Sequence, residues 1–129
     1  MTNRAGDWLK QALRDLQQAK DSQSRNYHEW ACFAAQQAAE KAVKALHLKL
    51  GQEAWGHVVA KLLAELTDKV FVPEEMIEKA RTLDNFYIPA RYPNSHPEGS
   101  PFEHYGPLQS QEAIDYAGEI VEFARSKMA

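Results

Sequence analysis

No proline or glycine interrupts the chain between Tyr27 and Leu50, and alanine recurs through that stretch at the spacing of helix turns. Alanine has the highest helix propensity, so an unbroken run of this kind folds as one long helix or not at all. Asn26 stands at the N-cap position with Glu29 three residues on, the pattern of a capping box, and Gly51 supplies a C-terminal stop. Tyr27, Trp30, Ala31, Ala34, Ala38, Ala42 and Ala45 fall on one face, while Phe33, Val43, Leu46 and Leu50 put apolar surface on other sides. A helix apolar on more than one side belongs in the middle of a fold. Gln36, Gln37, Glu40, Lys41 and Lys44 form its polar part, with Glu40 and Lys44 at i,i+4 spacing.

The rest of the chain reads as partners for that helix. Residues 4–20 place Trp8, Leu9, Ala12, Leu13, Leu16 and Ala19 on one stripe, and DSQSRN follows as a polar connection. A short helix is expected from about His57 to Leu66. Pro73 opens another, with Glu74 and Glu75 in its first turn, running through Leu83 and Phe86 or Tyr87 until Pro89 ends it. Five prolines and two glycines make 89–108 a loop. Ser110 is expected to cap a last helix ending near Lys127. No segment alternates at period two. The expectation is an all-α, up-down helical bundle of four main helices plus one short helix, in one domain spanning 1–129.

Composition narrows the function classes. A formal net charge of −3 gives no global basic field, so any nucleic-acid surface is a local patch. The lone Cys32 cannot close an internal disulfide. No apolar run approaches the ~20 residues that span a bilayer, and MTNRAGDWLK lacks a signal-peptide core. A cytoplasmic protein without membrane contact is expected. The five histidines show no metal-ligand spacing, so neither metal nor cofactor is expected.

Several stretches resemble one family. YHEWACFAAQQAAEKAVKALHLKLG is similar to the second helix of HEPN domains, small helical bundles named for higher eukaryotes and prokaryotes nucleotide-binding. GHVVAKLLAEL resembles the short helix that follows a Gly-His step in that family. ARTLDNFYIPARYPN and AIDYAGEIVEFA resemble the family's fourth helix and last helix. The resemblance implies a homodimer and a minimal nucleotidyltransferase as partner in a toxin–antitoxin pair. It also implies metal-independent ribonuclease activity, or binding of RNA or a nucleotide. The family's ribonuclease motif is an arginine, four to six residues, then a histidine. Arg91 and His96 in RYPNSH meet that spacing.

The chemistry suits those two residues. Metal-free RNA cleavage needs a proton carrier near neutral pH and a fixed cation for charge on the phosphate. His96 and Arg91 are the candidate catalytic residues. Tyr92 and Tyr105 are candidate base-stacking side chains, with Tyr87 beside them, and Lys41 and Lys44 are candidate contacts for nucleotide or RNA. The sequence departs from the family pattern in two places. Tyr92 follows the arginine where a polar residue is usual, and Glu98 stands where active members commonly carry a tyrosine. Pro93 and Pro97 also keep Arg91 and His96 off one regular helix. An alternative therefore stands beside catalysis: a non-catalytic module that binds nucleotide or docks a partner. In that reading Arg91 holds helix-end carbonyls or a carboxylate such as Asp84. A third reading is a purely structural dimerisation bundle.

Other residues carry plainer expectations. Cys32 and His28 lie one turn apart, but a small buried thiol is the reading its surroundings favour. His57 is expected to cap the short helix or lie on the surface. Trp8 and Trp30 are expected in the core, and Trp55 in a loop.

Overall fold

The computed structural model describes residues 3–129. Five α-helices carry the architecture: α1 (Ala5–Ser24), α2 (His28–Lys49), α3 (Val59–Ala64), α4 (Glu74–Asp84) and α5 (Pro107–Met128). Two 3₁₀ turns, Pro93–Ser95 and Pro101–Glu103, lie between α4 and α5. There is no strand among the described residues. The all-α bundle read from periodicity is the observed fold.

The Pro/Gly-free run is the central helix, in contact with α1, α3, α4 and α5. Ala31, Ala35, Ala38, Ala39, Ala42 and Ala45 are fully buried along it, so neighbouring backbones approach closely. Larger side chains fill the space beyond: Leu46 and Val43 from α2, Leu62, Leu63 and Leu66 around α3, Leu83 from α4 and Ile120 from α5 are all buried. Each such side chain contributes about 1.5–3 kcal/mol of apolar burial. Gly51 ends α2 as expected. Its φ of +78° is left-handed, and the amides of Gly51 and Gln52 return to the carbonyls of Leu48 and His47.

Several boundaries differ from the sequence reading. The DSQSRN segment continues α1 to Ser24 rather than connecting helices. Asn26 does not cap α2. It takes a left-handed φ of +65° and reverses the chain, which asparagine tolerates better than most residues, and Tyr27 becomes the N-cap without a side-chain bond. α4 stops at Asp84, before Phe86 and Tyr87. The chain then tightens into i→i+3 bonds, because Pro89 has no N–H and disfavours a helical Ile88. α5 starts at Pro107 instead of Ser110, since proline suits the first helical turn. Ser110 is instead fully buried within α5, its hydroxyl within hydrogen-bond distance of His28 Nδ1 and accepting from Gln23 Nε2, so one hydroxyl joins α1, α2 and α5.

Trp30 is a correction of another kind. It stands half-exposed at the start of α2 rather than in the core, where it and Tyr27 line an open groove with Asp15, Gln18 and Ser22 of α1. Trp8 is partly buried, and Trp55 is exposed as its loop position implied. No helix among the described residues is long and apolar enough to cross a membrane.

Candidate functional site

The turn after α4 holds Arg91 by its own helix end. Arg91 Nε donates to the Tyr87 carbonyl at 2.7 Å. Its guanidinium carbon lies 4.5 Å from the Phe33 ring centroid, 4.7 Å from Tyr87 and 5.1 Å from Tyr92. Aromatic faces attract a cation, and three of them fix this one in place. No carboxylate pairs with Arg91 among the described residues. Asp84, the partner weighed from sequence, is taken elsewhere. It accepts the Val59 and Ala60 amides at 2.7 and 3.1 Å and so caps α3. Desolvation raises its pKa above the usual carboxylate value, although those two amides pull the other way. The helix-end reading of Arg91 is therefore realised at the backbone and not through a carboxylate.

His96 is anchored to the same turn. Its Nε2 donates to the Pro89 carbonyl at 2.7 Å. Its ring stacks on His104 with centroids 4.1 Å apart and planes 6° from parallel, and His104 Nε2 donates to the Glu98 carbonyl. The Tyr105 ring meets His96 edge-on, and Phe86 meets Tyr105 the same way. The proline-rich segment is thus built on two histidine–carbonyl bonds around a ring stack. Tyr105 serves as the strut between loop and core rather than as an open stacking platform. Burial, more than the nearby Cys32, pushes its phenol pKa up.

The remaining candidates lie on α2. Lys41 pairs with Asp15 across the α1–α2 boundary. It borders an open groove of about 520 Å³ with Tyr27, Trp30, Phe33 and Gln37. Lys44 pairs with Glu40 at 3.1 Å and lies over the Trp8 ring. Both lysines are already neutralised by a carboxylate. The structure brings Arg91 together with Tyr92 and Tyr87, and His96 with Tyr105. Lys41 faces Asp15 of α1, across a groove whose wall includes Phe33, the ring on which Arg91 also packs.

One constellation was not singled out from the sequence. Glu40 is only 4% exposed, yet it faces His57, whose Nδ1 lies 3.1 Å from both of its oxygens. Gln36, fully buried, donates to Glu40 and to the His57 carbonyl. The His57 ring stacks on Tyr87 at 4.6 Å and 17°. His57 and Arg91 therefore lie against the same tyrosine ring. The available signal was Gln36 and Glu40, two polar residues one helical turn apart in an alanine-lined helix. Buried polar groups need partners, and the Gly56-His57 step supplies one.

Cys32 does not pair with His28. The thiol is fully buried and pushed up to about 12, first by desolvation and then by Glu29 and Glu112, so it packs as a small hydrophobe. No group of three or more His, Cys, Asp or Glu side chains that could hold a metal ion occurs among the described residues.

Comparison with known proteins gives the family and the fold. The HEPN domain profile matches residues 5–127. No curated protein matches the chain significantly. The crystal structure of TT1696 from Thermus thermophilus superposes with a TM-score of 0.95 at 51% identity, covering 98% of this chain and 99% of that one. ST0689, an archaeal HEPN homologue, gives 0.84 at 38% identity over 99% and 100% of the two chains. A HEPN domain protein from Thermotoga maritima gives 0.77 at 35% identity over 93% and 95%. With that identity over nearly its whole length, the chain belongs to the HEPN domain family.

Proposed function

We propose that this HEPN protein is the toxin half of a cytoplasmic pair with a minimal nucleotidyltransferase, and that it works as a homodimer that binds and cleaves RNA without a metal. The observation that carries the reading is Arg91: a guanidinium held by the Tyr87 carbonyl and three aromatic faces, with no carboxylate partner among the described residues. A fixed, unneutralised cation of this kind suits a phosphodiester, whose oxygens match the guanidinium fork. Tyr92, half-exposed beside it, is the proposed base-stacking side chain. His96 keeps its Nδ1 without a protein partner among the described residues and is the proposed proton carrier of the RYPNSH motif.

A second reading has its own observation. His96 already supports its loop through Pro89 and His104, a role that needs no chemistry. In that reading the protein binds RNA or nucleotide at Arg91, or docks the transferase, without cleaving. Cleavage of total cellular RNA in EDTA decides between them, with Arg91→Ala and His96→Ala prepared identically. The ribonuclease reading expects cleavage by the natural protein and its loss in both variants. Binding that depends on Arg91 with no cleavage by any of the three proteins supports the second reading. A natural protein that neither binds nor cleaves RNA removes the ribonuclease reading and narrows the second to nucleotide binding or transferase docking.

A further inference from the structure

Cleavage by transesterification moves two protons: one leaves the ribose 2′-hydroxyl and one reaches the departing 5′-oxygen. The RYPNSH motif supplies one histidine per chain. We infer that His57, oriented by Glu40, is the second proton-transfer residue of this centre; the inference rests on the ribonuclease reading above.

The geometry is that of a carboxylate–histidine pair built into a rigid support. An ionised carboxylate only accepts hydrogen bonds, so His57 Nδ1 carries the proton that faces Glu40, and in the neutral ring the lone pair is on Nε2. That nitrogen has no protein partner among the described residues, and the side chain is 53% exposed. Glu40 is itself fixed. Lys44 Nζ donates to Oε2 at 3.1 Å and Gln36 Nε2 to Oε1 at 3.2 Å. Gln36 also holds the His57 backbone through its carbonyl. A surface histidine kept only for a helix start needs none of this. Here a buried carboxylate of the central helix faces a half-exposed imidazole, and a buried amide of the same helix holds that residue's backbone. The His57 ring and the Arg91 guanidinium both pack on Tyr87, so one tyrosine links the imidazole to the cation proposed to hold the phosphate.

In the inferred step, His57 Nε2 takes the 2′-hydroxyl proton as the 2′-oxygen bonds to phosphorus. The P–O5′ bond breaks, and its electron pair goes to the 5′-oxygen, which takes a proton from the His96 imidazolium. The products are a 2′,3′-cyclic phosphate end and a 5′-hydroxyl end. His57 afterwards returns its proton to solvent, and His96 regains one. Glu40 does not touch the reacting atoms; it is a positioning residue.

The test uses the full chain, total RNA in EDTA, and His57→Ala and Glu40→Gln beside the natural protein, with free imidazole added in a parallel series. His57→Ala is expected to lose roughly 100-fold or more of cleavage with RNA affinity within about twofold, and imidazole to restore part of the rate. Glu40→Gln is expected to lose about tenfold or more in kcat with little change in KM. Should Glu40→Gln fail to fold, the half-exposed His57 still decides the matter. Natural protein that cleaves RNA while His57→Ala cleaves equally overturns this inference and leaves the ribonuclease reading standing. Loss in His57→Ala with equal loss of binding, or without any response to imidazole, marks a structural role and also overturns it. A natural protein that cleaves nothing overturns the ribonuclease reading and this inference with it.

Discussion

Two histidines flank the turn that ends α4, and they are held in opposite ways. His57 is fixed by a buried carboxylate on the central helix and keeps half of its side chain open. His96 is fixed by a backbone carbonyl of its own turn and is stacked inside the segment it supports. The first is a side chain presented by the core. The second is a brace within a loop. Arg91 lies between these two designs, bonded to the turn but packed on Phe33 of α2. The difference teaches that motif spacing locates a residue along the chain, whereas the partners of its ring nitrogens decide what it is free to do.

The sharpest way to break the comparison is to weaken the support under His57. Leu46 is fully buried in α2, and Leu46→Ala is expected to cost about 2–5 kcal/mol in urea-induced unfolding. In the braced loop, His104→Ala removes one ring stack and one hydrogen bond at an exposed position, and about 1 kcal/mol is expected. Equal losses at the two sites would mean that loop and helix form one rigid unit, contrary to the account. Hydrogen exchange sharpens the same contrast: α2 amides are expected to exchange only on global opening, and those of 93–104 earlier.

The helical elements were legible because alanine density, proline positions and apolar spacing act locally. Their ends were less so. α4 stops at Asp84 and not at Tyr87 because the turn before Pro89 tightens, and the Asp84 carboxylate is spent on α3, a contact between residues 24 and 25 positions apart. Ser110 likewise reads as a cap from its neighbours, but is a buried junction among three helices. Of the proposed centre, Arg91 was a candidate from the RYPNSH spacing together with its helix-end position. His57 was not, since its meaning comes from Glu40 and Gln36, seventeen or more residues away, and from Tyr87 across the bundle.

Smaller effects follow from two of the groups that titrate abnormally. Cys32 is buried with its thiol raised to about 12, so it stays protonated and inaccessible at about pH 9. An alkylating reagent is expected to modify it only after denaturation. Rapid labelling of folded protein would show that the α2 core opens more readily than the contrast between helix and loop allows. Asp84 has a native pKa above its unfolded value. The native state therefore holds the extra proton between those two values, and the stability this contributes is lost as pH rises through the native one. Natural protein is thus expected to gain stability relative to Asp84→Asn as pH falls from neutral through that window. A pH-independent difference between the two melting curves would contradict the sign.

The central claim is that Arg91 is a cation kept free for phosphate. Its most direct test is the salt dependence of RNA binding by the natural protein and Arg91→Ala, measured by fluorescence anisotropy on one labelled oligoribonucleotide. Removing one phosphate contact is expected to weaken binding at every salt concentration and to reduce the slope of log affinity against log salt by about one. Identical affinities and slopes for the two proteins would contradict the account and leave Arg91 as a structural cap of its own turn.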